Sequence, residues 1–225
     1  MTTKIWQLTA LGQSLWYDNM ERRLLENGEL AAMINRGDIR GLTSNPSIFN
    51  QAIAKSNYYD SALVPMSWSG YSDQMILEQL MTEDIRRTAD LLRSLFDTTH
   101  GADGFVSLEV KPGLAYDTEK TIAEARRLWK IVDHPNVMIK IPATQPGLAA
   151  IRRSVSAGIN INITLIFSIE RYKEVMEAYL SGLEDRLKAG GSVDHLNSVA
   201  SFFVSRIDSK VDKYLEPIAK GTGKK

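Results

Sequence analysis

Short, almost wholly apolar runs alternate along this chain with longer segments whose apolar residues recur every three or four positions. The first pattern reads as buried strands and the second as amphipathic helices. Strands are predicted over 14–18, 39–44, 105–110, 136–144, 160–167 and 199–206. Helices are predicted over 20–35, from Pro46 onward, and over 73–96, 118–132, 147–157, 169–189 and 208–219. Asn45 followed by Pro46 is a good helix start, a capping side chain before a proline at the first helical position. Asp117 or Thr118, and Ser168, read as further caps. Gly28 is a weak point inside the first helix. Residues 55–72, rich in Ser and Tyr, read as irregular, and 101–104 as a turn. The tail 221–225 reads as a frayed, solvated end: its glycines and lysines lack phosphate-loop spacing and follow no strand.

Strands alternating with helices imply a parallel sheet, either doubly wound or closed into a barrel. No Gly-x-Gly-x-x-Gly follows the first strand, which removes the main support for a dinucleotide fold. Side-chain parity then favours the barrel, because successive strand residues point to opposite faces. Trp16 and Asp18 share a face, as do Thr43 and Asn45, Ser107 and Glu109, Met138 and Lys140, and Asn160, Asn162 and Thr164. Five strands therefore each carry polar or ionisable groups on one side. A barrel collects them around its axis near the carboxyl ends of the strands, where barrel enzymes place their sites. The expected fold is α/β, a TIM (β/α)8-type barrel over residues 1–225, one domain with no repeat or linker.

Within the fourth strand Lys140 is flanked by apolar residues. Desolvation disfavours an ammonium, and burial can move a lysine down by roughly 3–5 units, which makes the amine a nucleophile toward carbonyls. The bland alternative is an edge lysine that snorkels to water. Each companion has one too. Asn45 reads equally as a cap, Asp18 as a loop residue, and Glu109 as an ion-pair partner of Lys140. Asn162 and Thr164 read equally as partners of a neighbouring strand. Against these alternatives stands the shared parity, since an unsatisfied buried polar group costs about 1–3 kcal/mol.

Composition narrows the field. The chain has 225 residues, 44% hydrophobic and 24% charged, with zero formal net charge, so nothing suggests a nucleic-acid surface or a membrane-binding face. It has no cysteine, hence no disulfide framework, thiolate zinc site or cysteine nucleophile, and this suits a reducing cytoplasm. The start lacks the apolar run of a signal peptide, and no run approaches the roughly 20 residues of a membrane span. His100, His134 and His195 show no metal-ligand spacing, and no Gly-x-Ser-x-Gly elbow is present.

At the parity-matched residues the sequence resembles the transaldolases, Schiff-base enzymes of the non-oxidative pentose phosphate pathway. The motifs are Leu42-Thr43-Ser44-Asn45-Pro46-Ser47, Val106-Ser107-Leu108-Glu109-Val110 and Ile139-Lys140-Ile141-Pro142-Ala143-Thr144. They continue with Ile161-Asn162-Ile163-Thr164-Leu165-Ile166-Phe167-Ser168 and Ser201-Phe202-Phe203-Val204-Ser205-Arg206. They follow family order over nearly the whole chain, and the long segment between the second and third strands resembles larger family members. The resemblance implies that Lys140 forms the imine and Asp18 takes the proton from the hydroxyl beside the breaking carbon–carbon bond. Glu109 and Thr164 would hold a proton-shuttling water. Asn45 and Asn162 would hold the dihydroxyacetone hydroxyls, and Ser201 and Arg206 the phosphate, with Arg206 past the end of the sixth strand. Arginine's planar fork suits phosphate oxygens. The implied donor is fructose 6-phosphate or sedoheptulose 7-phosphate, the acceptor erythrose 4-phosphate or glyceraldehyde 3-phosphate, with neither metal nor organic cofactor.

One departure stands out. Six strands are predicted where the barrel needs eight. An open arc leaves two edges unpaired, so the expectation is a C-terminally truncated or split transaldolase, inactive or weakly active alone. A homodimer and a complementing C-terminal chain are the partners left open. The rival readings are another imine-forming aldolase, which cleaves rather than transfers, and a non-catalytic sugar-phosphate-binding remnant.

Overall fold

The structure, a computed structural model, describes residues 4–222. A short helix α1 (Lys4–Ala10) precedes β1 (Trp16–Asp18). Then come α2 (Arg22–Glu26), α3 (Glu29–Asn35), β2 (Gly41–Thr43) and α4 (Pro46–Ala54). A 3-10 turn at Asn57–Tyr59, α5 (Asp60–Trp68) and the long α6 (Asp73–Thr98) lead to β3 (Phe105–Glu109). The remaining chain is α7 (Thr118–Val132), β4 (Val137–Pro142), α8 (Gln145–Ser156), β5 (Ile161–Ile166), α9 (Ile169–Lys188), β6 (Ser198–Phe202) and α10 (Val204–Thr222).

All six strands of the described residues lie parallel in one sheet, in chain order from β1 to β6. Each edge strand has one neighbour, so the sheet is an open arc of a barrel. The curvature is visible in side-chain reach: Asn162 on β5 bonds Ser107 on β3 across the intervening β4. In a flat sheet those strands would stand roughly 9–10 Å apart, too far for two short side chains to meet.

The outward strand residues make the core. Val106, Leu108, Ile139, Ile141, Ile161 and Ile163 are buried against Ala89, Leu92, Ile122, Ala125, Leu128, Ala150 and Ile151 of α6, α7 and α8. Burying each such aliphatic side chain is worth about 1.5–3 kcal/mol relative to exposure. The inward N-terminal end is filled by aromatic rings, with Trp16 stacked on Phe105 at a 6.5 Å centroid distance. Gly41 makes room for this, since a Cβ there would fall 2.5 Å from the Trp16 ring.

Several boundaries differ from expectation. The first helix breaks in two at Gly28, whose φ of 74° is a left-handed conformation that glycine adopts without a steric penalty. Residues 55–72 are largely helical, forming the 3-10 turn and α5. They are tied down by a buried cluster in which Arg22 and the Tyr59 hydroxyl both donate to Asp84, at 2.8 and 2.9 Å. The sixth strand stops at Phe202 and Val204 already opens α10, so Arg206 belongs to a helix. Of the tail, Gly221 and Thr222 close α10, and residues 223–225 lie outside the described residues. No helix among the described residues is long and apolar enough to cross a membrane.

Candidate active site

Lys140 is the fourth residue of β4, every residue of which is buried. Its parity turns it inward, and it is only 6% exposed. The amine Nζ donates to the Ser44 carbonyl at 3.3 Å and the Thr43 hydroxyl at 3.5 Å. It also lies 3.6 Å from Glu109 Oε2. These partners come from three elements: the end of β2, the loop after it, and β3, whose register sets Glu109 directly opposite Lys140.

Glu109 is half-buried. Burial pushes its carboxyl above the ordinary range, the Lys140 ammonium opposes that, and the nearby Asp18 carboxylate adds to it. Asp18 ends β1, exposed and opposite Thr43. Its charge is the smallest of the influences on the Glu109 carboxyl. An ion pair alone would have favoured the carboxylate, whereas here desolvation dominates and favours the neutral acid.

On β5, Asn162 stands opposite Lys140, and Thr164 opposite Pro142 one pleat higher. Both are 1% exposed. Asn162 Nδ2 donates to Ser107 Oγ at 2.9 Å, and Ser201 Oγ donates to Asn162 Oδ1 at 2.9 Å. Asn45 is half-buried just after Ser44, and its side chain caps α4 by accepting from the Ile48 N–H at 3.0 Å. Its capping role is therefore real, and it uses only one lone pair of the amide. Arg206 rises exposed from the first turns of α10 with its guanidinium 4.2 Å over the Phe203 ring. Phe203 stacks in turn on Phe167 at 5.3 Å.

The fold thus gathers Lys140, Glu109, Asp18, Asn162 and Ser201 around one concave face. Thr164 lies higher on that face and Asn45 beside it. Arg206 stands apart on its aromatic stack. Three contributors have no role in the sequence reading, although two of them share the polar inward face. The Ser44 carbonyl and Thr43 hydroxyl hold the amine, and the Ser107 hydroxyl holds Asn162. Parity puts Thr43 and Ser107 on that face without giving them a role. The Ser44 carbonyl leaves no trace in side-chain patterning. Among the described residues no group of three or more histidines and acids is placed to hold a metal ion.

A buried amine next to a carboxyl that favours its proton is suited to condense with a carbonyl and expel water. The profile of the Transaldolase/Fructose-6-phosphate aldolase family matches residues 15–225. A protein named transaldolase from Thermobifida fusca (strain YX) is 48% identical over 219 residues, covering 97% of this chain and 60% of that protein. Transaldolase 1 of Streptomyces coelicolor is 49% identical over 209 residues, 93% of this chain and 55% of its own. The transaldolase of Mycobacterium leprae (strain Br4923) is 45% identical over 223 residues, again 60% of its length. The chain spans about three fifths of the length of these curated relatives. With an arc of parallel strands, an inward lysine and a family match over almost all its residues, this chain belongs to the transaldolase/fructose-6-phosphate aldolase family.

Proposed function

We propose that this chain carries the imine-forming half of a transaldolase, moving a dihydroxyacetone unit from a ketose phosphate to an aldose phosphate. The observation that carries the reading is the Lys140 amine, buried inside the arc and 3.6 Å from a half-buried acid. In this reaction the amine adds to the ketose carbonyl, and Glu109, with Thr164 beside it through a water, supplies the proton that lets hydroxide leave as water. Asp18 then takes the proton of the hydroxyl next to the bond that breaks. The electron pair of that bond flows into the protonated imine, and the aldose phosphate departs. The resulting enamine adds to the acceptor aldehyde, and hydrolysis frees Lys140. Asn45 and Asn162 hold hydroxyls of the donor unit and Arg206 the phosphate, while Ser201, expected at the phosphate, gives its one hydroxyl proton to Asn162 Oδ1 and so supports that amide. The expected substrates are fructose 6-phosphate or sedoheptulose 7-phosphate with erythrose 4-phosphate or glyceraldehyde 3-phosphate.

Borohydride reduction in the presence of fructose 6-phosphate tests the first step. The expected product is a single adduct on Lys140, read by peptide mass and abolished by Lys140→Met. An adduct that survives Lys140→Met, or none in the wild-type chain, defeats the assignment.

We further infer that the open side of the barrel is completed by two strand–helix units of the same family fold. This is supported by the unpaired edges of β1 and β6 and by apolar stripes left exposed on α9 and α10. On this reading the chain alone forms the imine but turns over slowly. Robust transfer by the purified 225-residue chain would remove the need for completion.

A further inference from the structure

We infer that Ser107 is a positioning residue that holds the Asn162 amide for the donor sugar, an inference that rests on the proposed role of Asn162. Ser107 is wholly buried on the inward face of β3. Its Oγ accepts from Asn162 Nδ2 at 2.9 Å, while Ser201 Oγ donates to Asn162 Oδ1 at 2.9 Å from the opposite side. The amide is therefore gripped at both ends, by hydroxyls from β3 and β6, although it stands on β5. An amide has two N–H donors and two acceptor lone pairs. This grip uses one of each and leaves one of each for a ligand, in a plane fixed by the two serines.

The Ser107 hydroxyl is not needed for strand pairing, which the main chain of β3 makes with β2 and β4. Its bond crosses over β4 between the levels of Met138 and Lys140, which pair with Ser107 and Asn162 respectively. The same strand is linked to the amine. Ser44 Oγ donates to the Ser107 carbonyl at 2.8 Å, and the Ser44 carbonyl accepts from Lys140 Nζ at 3.3 Å. Ser44 and Ser107 thus form a brace beneath the site, one holding the nucleophile and the other the hydroxyl-binding amide. Without the hydroxyl at 107, a buried N–H loses its partner and the amide plane is held at one end only, by Ser201 at Oδ1.

Two readouts test this on the whole 225-residue chain. In side-chain amide NMR, the Asn162 resonance, assigned by its loss in Asn162→Ala, is expected to be protected from hydrogen exchange. Ser107→Ala should move that resonance and lower its protection about tenfold. Ser107→Cys fills the same space with a poor acceptor and should act in the same direction. In borohydride trapping with dihydroxyacetone as probe, Ser107→Ala should raise the half-saturating concentration about tenfold and leave maximal labelling of Lys140 within about twofold. Adding Ser107→Ala to Asn162→Ala should then change nothing further, the non-additivity expected of two residues acting as one unit. An unmoved Asn162 resonance, or additive effects in the double variant, overturns the inference. A wild-type chain that takes no dihydroxyacetone at all refutes the imine reading instead, and the NMR arm still decides the role of Ser107.

Discussion

The Glu109 carboxyl lies beside an ammonium that lowers its pKa and inside a protein wall that raises it, and the wall prevails. The sign of the consequence follows from linkage. Between the unfolded pKa of about 4.3 and the higher folded value, the native chain binds more protons than the unfolded one. Any stability from this group is therefore present below the unfolded pKa and is lost as pH rises through the folded one. Wild type should thus lose stability relative to Glu109→Gln as pH rises from about 4.3 through the higher folded pKa. Urea midpoints of both proteins measure the difference, and a gap that stays constant across that range contradicts a raised pKa. Asn45 calls for separating two duties of one side chain. Its oxygen caps α4, so Asn45→Ala should cost about 1 kcal/mol. Asn45→Asp keeps the capping oxygen and deletes the N–H donors. It should hold its melting temperature within a few degrees while weakening dihydroxyacetone trapping at Lys140, and unchanged trapping would reduce Asn45 to a cap.

At the scale of elements, the junction after β4 leaves little room for change. Thr144 caps α8 by accepting from the Gly147 N–H at 3.0 Å. A Cβ on Gly147 would fall 2.1 Å from the Pro142 carbonyl oxygen. That oxygen is backbone and cannot step aside alone, so Gly147→Ala should destabilise by about 2 kcal/mol or more. Gly113→Ala, with nothing within 4 Å of its Cβ and no left-handed φ, should be near neutral. A thermal melt that fails to separate the two would mean the junction yields easily. Elements with strong local signals were legible from sequence. Asp117 caps α7 and the 3.6-residue stripe of Ile122, Ala125 and Val132 carries it to Val132. Where signals were weak, tertiary context decided. The apolar residues of α5 are spread around the helix and none is buried, so nothing in 55–72 marked it as helical. The run Ser201-Phe202-Phe203-Val204 reads as a continuing strand, yet α10 starts at Val204. The site divides the same way. Lys140, Glu109 and Asn162 showed themselves by parity, which is local. The bond from Asn162 to Ser107 depends on sheet curvature and the hold on Lys140 on a backbone carbonyl, and neither is written in any short stretch of chain.

For the whole molecule, the question is what a chain does with an uncovered barrel wall. Ile169, Tyr172, Met176, Leu180 and Leu187 recur on one side of α9 and are all exposed, as are Val204, Val211, Tyr214 and Leu215 on α10. Leu180 is 54% and Tyr214 67% exposed. Contiguous apolar surface beyond a few hundred Å² is rare on monomers and marks an interface. The unpaired edge of β6 beside it offers backbone donors and acceptors to another strand. Both features predict that the chain associates with itself when nothing completes the arc. Sedimentation velocity should show mass rising with concentration across the micromolar range. Leu180→Glu combined with Leu215→Glu should shift the population toward monomer. Because both side chains are already half in water, these changes should leave the urea midpoint nearly unchanged, within about 0.5 kcal/mol each. A monomer at all concentrations would mean the stripes are too scattered to act as one surface. A double variant that unfolds would mean α9 and α10 pack more tightly than their exposure indicates. If instead a separate chain carrying the family's remaining strands is added, that chain and self-association should compete, and mass should settle at one-to-one. Transfer activity should rise with the same concentration dependence, because the edge that the added chain would cover is β6, which carries Ser201.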